Sequence, residues 1–261
     1  MQTAPMPRAI ISLALFALAI AALPALGADA ASTDFEARAR KAYWDAKTKF
    51  NSDPKNAEAG WQFARTCFDV ADFAANSTER ADLAEQGISA CREVIALNPQ
   101  SAEAHYYLGM NFGQLAQTKG LAALKIVNQM EREFNIARQA DEDFDQAGPD
   151  RNLGLLYRDA PSFGSIGSRS KARQHLTRAV ELAPDFPENR LNLAESCLKW
   201  NDRNGAIREV KALEEAWPRA RETFAGDEWT PSWLDWKKRL QNLKKKLEEA
   251  SKALESPSHK P

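Results

Sequence analysis

One recurring word constrains this chain more than anything else in it. It reads DPKNAEAGWQFA from Asp53, NPQSAEAHYYLG from Asn98 and APDFPENRLNLA from Ala183. Each copy opens with a proline (Pro54, Pro99, Pro184) that stops the preceding helix. Each then carries an acid (Glu58, Glu103, Glu188) in the first turn of a new helix, where the dipole favours it. A large residue then precedes a small one: Phe63–Ala64, Leu108–Gly109, Leu193–Ala194. A small side chain lets two helix backbones meet, while large neighbours fill the grooves beside it. A chain built from this word folds as stacked helical hairpins, each burying its apolar face on the next.

The partner helices carry the complementary pattern. GISACREVIALNP places Gly87, Cys91 and Val94 at small, large and small slots, and KARQHLTRAVELAP does so with Ala172, Leu176 and Ala179. The last hairpin offers Ala206, Val210 and Leu213, closing at Pro218, 34 residues after Pro184. RNLGLLYRDAP supplies one more first helix through Leu153, Gly154 and Tyr157. Two stretches enlarge the spacing: ANSTERAD in the first hairpin, and a long second helix running through LAALKIVNQMEREFNIARQADEDF. These segments resemble the tetratricopeptide repeat (TPR). The resemblance implies an all-α fold, a TPR-like α-α solenoid whose first helices line a concave face. The expected layout is a half-repeat helix at 33–54, a superhelix of four hairpins at 55–218 and a capping helix region at 219–254. In that last region Thr230 can cap a helix and Pro231 suits its first position. Trp233, Trp236, Leu240, Leu243, Leu247, Ala250 and Leu254 form a heptad seam, read as a cap over the last hairpin or as a self-associating coil.

The two ends read differently. Arg8, the apolar stretch Ala9–Leu23 and the small residues after Pro24 predict a secretory signal peptide over 1–28. The expected location is therefore periplasmic or secreted, with no membrane span after cleavage. The tail 255–261 is expected to be disordered. With 35 basic and 36 acidic residues, no strong field exists to attract nucleic acid.

Catalytic constellations are thin. The histidines His105, His175 and His259 show no paired metal-ligand spacing, so neither a metal, a cofactor nor an enzymatic activity is expected. The loop Ala160–Ser170 has Gly164 and Gly167 but lacks the phosphate-binding signature, so it reads as a long turn or a recognition loop. Cys67 and Cys91 fall at core slots of one hairpin. They pack there as two thiols or, in an oxidising compartment, bridge as a disulfide. Cys197 reads as a buried thiol, and Asn76 heads an NST glycosylation sequon.

Positions on one face of the first helices point to a groove: Trp61 and Arg65, Tyr106 and Met110, Arg151 and Arg158, Leu191 and Glu195. Aromatics and arginine dominate protein-binding hot spots. The expected function is an exported scaffold holding a protein or peptide partner there. The enlarged hairpins, the AHYYLG and RNLGLLYRDAP segments and the export signal further resemble the T component of TRAP-type solute transporters. That resemblance implies a periplasmic solute-binding protein as partner and a capacity to form homo-oligomers. The alternative is a small hydrophobic ligand in a cleft between the enlarged helices of repeats two and three.

Overall fold

The computed structural model describes residues 30–255. The expected signal peptide at 1–28, the residues beyond 255 and His259 lie outside the described residues. Ten α-helices follow one another among the described residues: α1 (Ala30–Ser52), α2 (Ala57–Ala71), α3 (Ser77–Leu97), α4 (Ala102–Ala116), α5 (Ala123–Ala140), α6 (Phe144–Asp159), α7 (Arg169–Leu182), α8 (Pro187–Lys199), α9 (Arg203–Thr223) and α10 (Thr230–Glu255). No strand occurs among the described residues. The pairs α2/α3, α4/α5, α6/α7 and α8/α9 form antiparallel hairpins stacked in chain order, with α1 against α2 and α10 across α8 and α9.

The helix starts are set by side chains that satisfy orphan amides. Asn56 accepts from the Ala59 amide, Ser101 from Ala104, Ser168 from Lys171 and Asp202 from Gly205. Asn76 accepts from both Thr78 and Glu79. The ANSTERAD stretch is therefore the capped first turns of α3, not an insertion between helices.

The small residues stand where helices cross. A Cβ on Gly109 of α4 would meet the Phe134 ring of α5 at 2.6 Å, and one on Gly154 of α6 would meet Leu176 of α7 at 2.6 Å. Ala64, Ala172, Ala179, Ala194 and Ala206 are fully buried. Gly109→Val should cost about 1–3 kcal/mol through overpacking against Phe134, read as a lowered urea midpoint with an unchanged slope.

Three segments depart from the sequence reading. Helix α5 stops at Ala140 rather than running to Phe144, and the Asp141 carboxylate accepts from the Asp143 amide to turn the chain. Within α6, Asp145, Gln146 and Ala147 take left-handed backbone angles (φ 56°, 57° and 61°), so regular helix begins at the following Gly148–Pro149. Helix α9 runs through Pro218 to Thr223. Tertiary packing holds it there: Ala216, Ala220 and Phe224 are buried, Trp217 packs edge-on to Trp233, and the Arg221 guanidinium lies 4.1 Å from the Trp233 ring centroid.

The seam of α10 turns inward. Trp233, Trp236, Leu243 and Leu247 are buried in one cluster with Phe186, Leu191, Val210 and Leu213. Arg239 donates to both Glu195 carboxylate oxygens (2.8 and 2.7 Å) and to Asn192 (2.6 Å). Helix α10 is thus a cap over the last hairpin. No helix among the described residues is long and apolar enough to cross a membrane.

Candidate functional site

The concave side holds a cavity of about 640 Å³. Helix α2 contributes Glu58, Trp61, Gln62 and Arg65, and α4 contributes Glu103 and Tyr107. The α5–α6 turn adds Asp141 and Asp143 through Gln146. The far wall is the segment after α9, with Phe224, Glu228 and Trp229. Curvature of the stack brings these distant segments to one space.

Aromatic contacts assemble the floor. Trp61 stacks on Tyr107 with ring centroids 5.9 Å apart and planes 4° from parallel, and Phe144 meets both rings edge-on. Below them Tyr106 is wholly buried, and its hydroxyl donates to the Asp145 carboxylate (2.7 Å). The Asn152 amide donates to that same hydroxyl (2.8 Å). Arg151, 1% exposed, donates to the Asp145 carboxylate (2.6 Å) and to the Asp145 and Gln146 carbonyls (3.1 and 2.9 Å). Its guanidinium also lies over the Phe186 ring. This network fastens the left-handed turn that presents Phe144 to the cavity.

Of the eight expected groove residues, Trp61 and Arg65 line the cavity and the other six do not. Tyr106 and Met110 are buried in the core, and the neighbour Tyr107, itself 3% exposed, reaches the cavity wall beneath Trp61. Arg151 is the buried clamp just described, and Arg158 is paired with Asp159 (2.6 Å). Leu191 is fully buried and Glu195 is held by Arg239, because α10 covers the last hairpin's inner face. Tyr107, Glu103, Phe144 and Trp229 were missed. The tyrosine doublet in AHYYLG and the acidic DEDFD run before Pro149 were the available signals.

Cys67 and Cys91 are free, buried thiols, as is Cys197. Burial pushes the Cys67 and Cys91 thiols far above their usual range. Neither His105 nor His175 reaches the cavity. His175 bonds Asp150 (2.6 Å) and stacks on Tyr157. His105 bridges Glu133 (2.6 Å) and the Pro99 carbonyl (3.1 Å). Burial opposes its imidazolium, but those two bonds and the charge of Glu133 together outweigh burial and raise its pKa. A raised value means stability that is fully present below the unfolded pKa of about 6.5 and lost as pH rises through the folded pKa. His105→Gln should remove that decline, seen by comparing urea midpoints of both proteins across that interval.

The loop Ala160–Ser170 is tied at its base by the Gly167 amide to the Pro161 carbonyl and the Ser168 amide to the Tyr157 carbonyl. At its tip Phe163 is 96% exposed beside Gly164, whose φ is 75°.

Hairpins stacked through small crossing residues, with α2 and α4 lining one wall of the cavity, define a helical repeat fold. The fold is that of TPR proteins. The chain resembles TTC0263, a thermophilic TPR protein of Thermus thermophilus, at 19% identity and TM-score 0.58, over 79% of this chain and 91% of that one. MamA is similar at 18% identity and TM-score 0.49, over 76% of this chain and 99% of that chain. Residues 26–142 match the model of the family described as Regulator of microtubule dynamics protein 1-3. No curated protein matches the sequence.

Proposed function

We propose that the chain is an exported, non-catalytic scaffold that holds an extended segment of a protein partner in the cavity between α2, α4, the 141–146 turn and the 223–229 segment. The observation that carries this reading is the pair of partly exposed rings Trp61 and Phe144, packed over the buried Tyr107 and facing a space of ligand size. The competing apolar-ligand cleft is not favoured. The space between the second and third hairpins is filled by Phe134, Leu153, Leu156 and Tyr157, and crossed by the Tyr157–Glu131 hydrogen bond.

Export rests on the N-terminal sequence pattern. The narrower partner, a periplasmic solute-binding protein of a TRAP-type system, rests on repeat layout. A photo-crosslinking residue at Gln62 should trap one stoichiometric partner from a periplasmic extract, and Trp61→Ala should abolish the adduct. Adducts that survive Trp61→Ala but vanish on deleting Ser162–Ser168 would move recognition to the loop carrying Phe163. N-terminal sequencing of the mature protein should begin near residue 28, and an intact Met1 would refute cleavage.

A further inference from the structure

The charge around the cavity is not that of the chain. The full sequence is balanced, at 35 basic against 36 acidic residues. The cavity lining has six carboxylates and a single basic side chain, Arg65. Asp145 is consumed by Arg151. The other five, Glu58, Glu103, Asp141, Asp143 and Glu228, have no ion-pair partner among the described residues. Elsewhere among the described residues most acids, though not all, are matched: Asp159 takes Arg158 and Lys199, Glu195 takes Arg239, Glu142 takes Arg178. Unmatched like charges around a concave, aromatic-floored space focus a negative potential into it.

The carboxylates come from four separate segments, and among the described residues no three histidine, cysteine or acidic groups converge to hold a metal ion. The charge is therefore spread along the space instead of gathered at a point. A matching occupant carries several separated cations with apolar stems between them. Lysine and arginine do this: their stems lie on aromatic faces and their heads reach surrounding carboxylates.

We infer that the cavity selects a basic peptide segment, its lysine or arginine stems on Trp61 and Phe144 and its charges among Glu58, Glu103, Asp141, Asp143 and Glu228. This rests on the groove reading above and names the chemistry of its partner. The test uses the full chain and three fluorescein-labelled peptides of equal length, alternating leucine with lysine, serine or glutamate, followed by anisotropy. The lysine peptide should bind tightest and weaken as salt is raised. Both Trp61→Ala and the triple variant Glu103→Gln, Asp143→Asn, Glu228→Gln should weaken it by about tenfold or more. The triple variant leaves the aromatic floor intact and so separates charge from folding. If the serine or glutamate peptide binds as tightly and still requires Trp61, the charge assignment fails while the groove stands. If binding of no peptide depends on Trp61, the groove reading fails as well. If spermidine displaces the lysine peptide at matched charge concentration, a small polyamine is the occupant and the peptide assignment is overturned.

Discussion

Arg151→Met should destabilise the protein by about 3–5 kcal/mol, since it removes the counter-charge of a buried carboxylate and a donor to two turn carbonyls. The loss is large because the residue has two duties. It neutralises Asp145 in a place with almost no water, and it holds the carbonyls of a turn that resists its own shape. A left-handed residue with a side chain costs about 1–2 kcal/mol, and three stand in a row here. Without the guanidinium, nothing of equal geometry fastens Asp145 and Gln146. Lysine would not restore it, because one ammonium cannot match a planar fork that donates to five oxygens, those of Asn189 and Tyr106 included. Urea denaturation of Met and Lys variants should place both well below the parent. A Lys variant of parental stability would show that charge alone suffices. Asp145→Asn should be the milder change, as it leaves the carbonyl contacts in place.

Trp236→Ala should cost about as much, roughly 3–5 kcal/mol, by emptying a packed aromatic site. Trp236 is 2% exposed and touches Phe186, Phe224, Trp229 and Trp233. These rings fasten α10 to the last hairpin and support the Phe224–Trp229 wall of the cavity. The expected signature is twofold. Thermal unfolding should shift down, and size-exclusion chromatography should show association, because an uncapped terminal repeat exposes apolar surface. A variant that stays monodisperse with unchanged unfolding would mean that α10 is not what closes the stack. Arg239→Met should act in the same direction by freeing Glu195 and Asn192, which shows whether the polar clamp or the aromatic packing dominates.

The architecture was legible because the hairpin signal is local. Gly109, Gly154, Ala64 and Ala194 were marked as crossing points from nothing more than size and spacing, and each one is buried against its neighbour helix. The heptad seam of α10 was equally plain, and packing decided between its two readings. The cavity was legible only at one end. Trp61 and Arg65 sit early in the first hairpin, before any uncertainty of register has built up. Tyr106 and Tyr107 are adjacent large polar aromatics and both are buried; composition cannot say that Tyr106 goes to Asp145 and Asn152 while Tyr107 lies under Trp61. The left-handed turn was invisible, since Asp, Gln and Ala carry none of the glycine signal that marks such angles. The displacement of Leu191 and Glu195 from the groove depends on a helix more than thirty residues further along, which no local pattern reports.

The two walls of the cavity come from opposite ends of the folded rod, Trp61 and Arg65 on one side and Phe224 through Trp229 on the other. Anything seated between them would act as a strut across a bent spring. Its grip would depend on how far the spring is flexed, and the coil would lose compliance once the strut was in place. A change of pitch at any intervening hairpin, however remote from the aromatic floor, would therefore be felt as a change in affinity.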